Sequence, residues 1–249
     1  MFKFFSRSKT KESSATADFS LLNTDMHSHL IPGVDDGARD IDSSLQLIRG
    51  MYELGYRKLI TTPHIMGDMY KNTPEVILER LEWVRAAVKK EGLAIEINAA
   101  AEYFLDDYVA SLLKDNEPLL KVSGNMVLVE FSMAYPSHSL KDILFEMQMQ
   151  GYQPIIAHPE RYIYLEHNKG FYEELKDIGC LFQLNILSLT THYGKSVQEL
   201  AHYLVKKNYY DLIGTDLHNL RNLEALHSPG LSAQVKKLLD TGKIKNAVL

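Results

Sequence analysis

About seven apolar, β-prone runs alternate with amphipathic helical stretches along most of this chain, and no second core interrupts the alternation. The runs lie near residues 21–26, 58–62, 94–101, 125–129, 154–157, 180–184 and 211–215. Strands separated by helices must run parallel, because a crossover brings the chain back to the same end of the sheet. Runs such as 127–129 and 154–157 carry no polar alternation, which is the signature of strands covered on both faces. A chain of 249 residues suits one α/β barrel. The fold expected is a parallel β/α barrel of about seven strands forming a single domain over residues 21–249.

Helix signals fall between the runs. Asp40 caps a stretch whose Ile41, Leu45, Ile48 and Met51 share a face, and Gly55 stops it. Thr73-Pro74-Glu75 supplies a cap, a first-turn proline and an acidic first turn for a helix reaching Lys90. Further helices are expected near 106–114, 139–150, 171–178, 196–207 and 232–240.

Composition excludes several functions. Apolar residues at 45% and charged residues at 24% are those of a globular protein, and the net charge of −5 argues against a nucleic-acid surface. No run approaches the roughly 20 apolar residues of a membrane span. The single Cys180 has no internal disulfide partner, which fits a reducing, cytoplasmic setting. Residues 1–20 are expected to form a disordered tail; its first residues mix aromatics with cations and suit at most weak contact with an anionic membrane, peripheral at its inner face.

In a parallel barrel the site lies at the C-terminal ends of the strands. Collecting the chemistry-bearing residues there gives His27, His29, Asp36, His64, Glu102, Glu130, His158, Asp216 and His218. In an extended segment His27 and His29 point to the same side and can hold one ion together. Imidazole and carboxylate without thiolate suit divalent zinc, manganese or iron, and Glu102 or Glu130 could bridge two ions. The remaining histidines, His138, His167, His192, His202 and His227, fall on helices or loops and read as structural.

This set resembles the polymerase and histidinol phosphatase (PHP) superfamily, and the resemblance extends over almost the whole chain after residue 20. More narrowly, Met26-His27-Ser28-His29, Gly33-Val34-Asp35-Asp36-Gly37, Ala101-Glu102, Val129-Glu130-Phe131-Ser132-Met133, Ile156-Ala157-His158-Pro159-Glu160-Arg161-Tyr162 and Asp216-Leu217-His218-Asn219 resemble the metal-dependent protein-tyrosine phosphatases of bacterial capsule operons. The resemblance implies a distorted barrel of the PHP type with up to three divalent ions, manganese first and iron, zinc, cobalt or magnesium as alternatives. It implies all nine residues as ligands, with Asp36 rather than Asp35 serving from the loop, and Arg161 as the phosphate-binding arginine. Members of this group usually carry a second arginine shortly after the Asp-x-His-Asn motif; Arg221 is offset from that place by two positions.

The implied activity is hydrolysis of phosphotyrosine on a protein by a metal-bridged hydroxide, with the tyrosine-rich tail of a bacterial tyrosine kinase of polysaccharide export as the implied substrate. Another phosphoesterase on the same scaffold, for histidinol phosphate or a nucleotide, and a non-catalytic metal-stabilised binding module are the alternatives. A cysteine-dependent phosphatase is excluded, because the position six residues after Cys180 is Ile186 rather than arginine. Gly194-Lys195-Ser196 lacks the leading glycine of a P-loop, since Leu189 stands there. Tyr103, Phe104, Tyr135, Tyr162 and Tyr164 follow strand ends, where they either rim the mouth for a phenyl ring or pack loops over it.

Overall fold

The computed structural model describes residues 17–135, 139–228 and 230–249. Its strands are β1 (Thr24–Asp25), β2 (Lys58–Thr61), β3 (His64–Ile65), β4 (Glu96–Ala99), β5 (Glu102–Phe104), β6 (Met126–Glu130), β7 (Gln153–Ala157), β8 (Leu181–Asn185) and β9 (Leu212–Gly214). All pair in parallel and form two arcs, β1-β2-β4 and β3-β5-β6-β7-β8-β9. The helices are α1 (Ile41–Glu53), α2 (Pro74–Lys90), α3 (Asp107–Lys114), α4 (Leu140–Met149), α5 (Gly170–Asp177), α6 (Lys195–Lys207), α7 (Leu220–Leu226) and α8 (Leu231–Leu239).

The distortion is a break in two strands. β2 and β3 are halves of one strand, interrupted at Thr62-Pro63, where proline has no N–H to give the ladder. β4 and β5 are halves of the next, interrupted at Ala100-Ala101. Counting each broken strand once gives the expected seven. Ala100 N–H donates to Thr61 O at 2.8 Å and Glu102 N–H to Pro63 O at 3.1 Å, so the halves stay in register across the break. The single strand expected over 94–101 is therefore shorter than the sequence suggested, and Glu102 and His64 begin half-strands instead of ending whole ones.

Three links join β9 to β1. Asn246 donates to Thr24 O and Ile213 O and accepts from Ile213 N–H, bridging both strands with one amide. The fully buried Asp25 carboxylate accepts from Thr215 N–H at 2.8 Å and its hydroxyl at 3.0 Å. Farther up, His29 N–H donates to Leu217 O and Asp216 N–H to His27 O, at 2.9 and 2.7 Å.

Strand residues alternate between two cores. Met26, Ile60, Leu128, Ile155, Ala157 and Leu212 belong to a small cluster inside the strand ring, while Leu59, Val127, Val129, Ile156, Phe182 and Ile213 join the large cluster beneath the helices. Truncating such a buried leucine to alanine costs about 2–5 kcal/mol, so this alternation fixes which side chains face the interior.

The caps at Asp40 and Thr73 form as expected, accepting from Ser43 N–H and Val76 N–H. Two expectations change. The first strand spans only Thr24–Asp25, with Leu21 exposed in a turn, and the Ala17 and Phe19 side chains pack into the large core although the sequence assigned them to the tail. Residues 1–16 of the expected tail, and His138, lie outside the described residues. Among the described residues no helix is long and apolar enough to cross a membrane.

Candidate metal centre

The upper end of the barrel gathers the polar side chains. His27 and His29 follow β1, Asp36 sits in the next loop, Glu130 ends β6, His158 follows β7, and Asp216 and His218 follow β9. His158 and Asp216 have φ of 32° and 51°, left-handed backbone that non-glycine residues adopt at a cost of about 1–3 kcal/mol. Both turn out of their strands there and direct their side chains into the cluster. Two glycines make room for it. A Cβ on Gly214 would lie 2.7 Å from the His27 Cβ and 2.9 Å from Gln183 Nε2, and one on Gly37 would collide with the backbone and Cβ of His29.

Glu102 is the centre. Its Oε2 lies 3.1 Å from His27 Nε2, 3.4 Å from His29 Nε2 and 3.2 Å from His64 Nδ1, and its Oε1 lies 3.2 Å from His158 Nε2. Neither oxygen makes a hydrogen bond of acceptable geometry, although the carboxylate is fully buried. A buried carboxylate without donors is costly. Convergence of lone pairs on shared points between these atoms is how a ligand set is arranged, and the donor types suit divalent cations.

The nine residues singled out by sequence all take part in groups whose ligand atoms lie within 4.8 Å of one another: His29, Asp36, His64 and His218; His27, His29 and Asp216; His27, Glu102 and His158; and His64, Glu102 and Glu130. The groups share members, so the cluster is continuous.

Neighbouring acceptors fix the imidazoles. His27 Nδ1–H donates to Gln183 Oε1 at 2.8 Å, His29 Nδ1–H to Asp35 Oδ2 at 2.8 Å, and His218 Nδ1–H to Asp216 O at 2.9 Å. Each acceptor places the proton on Nδ1 and leaves Nε2 as a lone-pair donor toward the cluster. Electrostatics follow the same geometry. Burial disfavours the charged form of His27, yet Glu102 and Asp216 outweigh it and lift its pKa to about 9. Burial pushes the Glu102 carboxyl up, but His27 and His64 hold it well below the usual range. Burial likewise opposes ionisation of Asp35, and His29 overrides it to bring the group down to about 2. The cluster demands cationic charge.

Arg161 stands at its edge on a 3-10 turn, Pro159–Arg161. Its Nη1 donates to Asp216 Oδ2 at 2.7 Å, and its guanidinium lies 4.7 Å from the Tyr193 ring centroid. Asn185 donates both to that Oδ2, at 3.0 Å, and to the Tyr193 hydroxyl, at 3.2 Å. Asp216 thus turns Oδ1 to His27, His29 and His218 and gives Oδ2 to Arg161 and Asn185.

A cavity of about 230 Å³ opens over the cluster, bounded by Arg161 and by Met66, Met69, Tyr70 and Met133. These apolar side chains were not anticipated, since they come from loops with no periodicity to mark them. Of the aromatics that were, Tyr103 and Tyr162 are fully buried and pack loops: Tyr162 stacks on Phe131 with centroids 3.8 Å apart and accepts from Phe131 N–H, and Tyr103 accepts from Leu120 N–H. Tyr164 donates to Ser132 O, a further loop contact. Arg221 lies on α7, a helix the sequence reading passed over, and lines a neighbouring cavity instead of this one. Buried Cys180, its thiol pushed up to about 12 by burial, immediately precedes β8 as a core residue.

Comparison with known proteins gives a consistent picture. The family model described as capsular polysaccharide synthesis, CpsB/CapC, matches residues 23–240. The tyrosine-protein phosphatase CpsB of Streptococcus pneumoniae is 33% identical over 202 residues, covering 79% of this chain and 83% of the relative. The tyrosine-protein phosphatase YwqE of Bacillus subtilis is 28% identical over 197 residues, covering 79% and 78%. A crystal structure from the work on YwqE of B. subtilis and CpsB of S. pneumoniae, described as unique metal-dependent tyrosine phosphatases, superposes with a TM-score of 0.75 at 26% identity, covering 86% of this chain and 91% of that one.

Proposed function

From the premise that the chain belongs to the CpsB/CapC family of capsular polysaccharide synthesis, we propose that it is a metal-dependent protein-tyrosine phosphatase. The observation that carries this reading is the buried Glu102 carboxylate, enclosed by four imidazoles without hydrogen-bond geometry and flanked by an arginine at the mouth. His27, His29, Asp36, His64, Glu102, Glu130, His158, Asp216 and His218 hold the divalent ions, up to three of them, with manganese the first choice. Bound there, such ions polarise phosphoryl oxygens and acidify a water for attack on phosphorus.

The chain's own residues do the rest. Arg161 offers a planar fork that pairs with two phosphate oxygens, and Asp216 with Tyr193 holds that fork in place before substrate arrives. Met66, Met69 and Met133 give the mouth a polarisable apolar lining that receives a phenyl ring. Tyrosine leaves as a phenolate of pKa about 10, which is far easier to expel than a serine alkoxide. The physiological substrate we assign is the tyrosine-rich tail of a bacterial tyrosine kinase, met in the cytoplasm at the inner membrane surface; family membership and the compositional reading support this assignment.

The test is hydrolysis of a phosphotyrosyl peptide by purified protein, with chelator and then with Mn²⁺ restored. Activity is expected to vanish and return. In Arg161→Ala the metals should remain while turnover falls by about a hundredfold or more, in the range lost when one charge-stabilising donor is removed. Normal turnover in that variant removes Arg161 from the reaction, and metal-independent turnover removes the ligand assignment.

A further inference from the structure

A second cavity, of about 480 Å³, adjoins the one above the cluster, and His218 lines both. Its other walls include Arg39, Ser43, Gln46, Leu220 and Arg221. The two arginines come from distant parts of the chain, Arg39 from the loop before α1 and Arg221 from the first turn of α7.

They differ from the other arginines. Among the described residues, Arg49, Arg85 and Arg161 form ion pairs with carboxylates, and Arg57 and Arg80 donate to backbone carbonyls. The side chains of Arg39 and Arg221 do neither, and both are exposed. Ser43 is occupied by Asp40, to which it donates at 2.6 Å, so it is a wall and not a donor to a ligand. Arg39 and Arg221, whose side chains make no ion pair or hydrogen bond among the described residues although the Asp40 carboxylate attracts Arg39 at longer range, thus share a concave surface one imidazole away from the candidate reaction centre. In a chain with 32 acidic and 27 basic residues, the two guanidinium groups lining this cavity give an anion a local point of attraction, with Asp40 beside Arg39 and Asp36 beside His218 as the nearby carboxylates.

We infer that this cavity is a substrate subsite for an anionic side chain close in sequence to the phosphotyrosine: aspartate, glutamate or a second phosphotyrosine. The inference rests on the phosphatase reading, since it takes the phosphorylated ring to lie over the cluster on the far side of His218. A guanidinium fork pairs in bidentate fashion with either carboxylate or phosphate, so the chemistry is shared and substrate sequence decides between them. Gln46 adds a neutral amide, and Leu220 gives the stem of the side chain an apolar ledge. The subsite contributes to selection among peptides, whereas Arg161 acts on the reacting phosphate.

The experiment compares the metal-loaded wild type with Arg39→Ala/Arg221→Ala on four substrates: phosphotyrosyl peptides with flanking glutamates, with a second phosphotyrosine or with flanking alanines, and p-nitrophenyl phosphate. Exposed pairs are individually weak, so the wild type should favour the anionic peptides over the alanine peptide by about three- to tenfold in kcat/KM at low salt. The double variant should lose that preference while keeping its rate on the alanine peptide and p-nitrophenyl phosphate. Preference for glutamate alone, or for the second phosphotyrosine alone, identifies the natural anion.

Equal wild-type rates on the three peptides overturn the subsite, as does a loss in the double variant that is the same on all four substrates. A wild type that turns over none of them overturns the phosphatase reading instead. Fluorescence-anisotropy titration of the same peptides then decides the subsite: tighter binding of anionic peptides, abolished in the double variant, upholds it, and equal binding ends it.

Discussion

The ligand cluster has a floor and a rim, and they are built differently. The side chains of His27, His29, Glu102, His158 and Asp216 are at most 3% exposed, whereas Glu130, His64, His218 and Asp36 range from 9% to 55%. On the floor, Gln183 orients His27, Asp35 orients His29, and Arg161 with Asn185 holds Asp216. At the rim, the ion-pair partners of Asp36 among the described residues are the imidazoles of His64 and His218, at 3.6 and 3.4 Å. Burial explains the contrast: polar atoms removed from water must be fixed by protein partners, while exposed ones have water to satisfy them. The contrast is not complete: both Glu102 oxygens and His158 Nδ1 are buried on the floor without a hydrogen-bond partner, as atoms reserved for a cation would be, and at the rim His218 Nδ1–H donates to Asp216 O.

The largest effect should follow from removing the charge that floor and rim share. Glu102 faces His27, His29 and His158 below and His64 above, so Glu102→Gln keeps the shape but loses the anion. Bound metal, measured by elemental analysis after purification, should fall to a small fraction of the wild-type content. Peptide turnover should drop by about a hundredfold or more, beyond the 10- to 100-fold typical of residues that only orient ligands. Metal content and rate near wild type would mean that the cluster does not depend on its central carboxylate, and the distinction between floor and rim would lose its basis.

A smaller effect is expected at Gln183. Its Oε1 accepts from His27 Nδ1–H and from His158 N–H at 3.2 Å, and its Nε2 donates to Leu184 O. Gln183→Leu keeps the bulk and removes all three contacts, freeing the His27 ring to adopt the other tautomer. Metal affinity, measured by competition with a chelator of known strength, should weaken by about 10- to 100-fold, with the rate recovering at high metal concentration. Unchanged affinity would show that packing against Gly214 alone holds the ring.

Gln183 also marks where the sequence was legible and where it was not. Most of the nine clustered residues could be found because they combine strong chemistry with a predictable place, the upper end of a buried apolar run; Asp36 lies in a turn-rich loop, and its choice over Asp35 came from the family resemblance. Gln183 has the weaker signal of a polar residue at an interior position of β8, where Phe182 and Leu184 alternate toward the helices. That period-2 exception was readable but carries no chemistry by itself. The broken strands were only half readable: Pro63 marks a stop through its missing N–H, but the resumption of the strand at His64 and the break at Ala100-Ala101 depend on tertiary geometry. Ala17 and Phe19 were misassigned for a related reason: a short apolar pair in a polar stretch gains its burial from distant partners, here α1 through the bond from Phe19 N–H to Leu54 O at 2.8 Å. Arg221 was seen but could not be placed, since helix α7 determines which cavity it lines.

The smallest effect on metal retention is expected at Asp36, and its neighbour supplies the control. Asp35 and Asp36 are adjacent carboxylates of one loop with opposite surroundings. Asp35 is buried and accepts from His29 Nδ1–H, Gly37 N–H and His64 N–H, which occupies both of its oxygens. Asparagine there must set an NH₂ group against one of those donors, so Asp35→Asn should cost about 1–3 kcal/mol of stability, seen as a lower Tm, and should loosen His29. Asp36 is half-exposed and binds no backbone donor among the described residues, so Asp36→Asn should leave Tm unchanged and the floor's metal in place. Its turnover should fall by about tenfold through loss of one rim ligand, an effect at the lower bound for a perturbed metal site. The two variants differ by one position in sequence and should separate on two axes, stability and rate. Were Asp35→Asn to lose metal and turnover while Tm held, and Asp36→Asn to keep both metal and rate, the loop ligand would be Asp35, and the floor would extend to the mouth of the barrel.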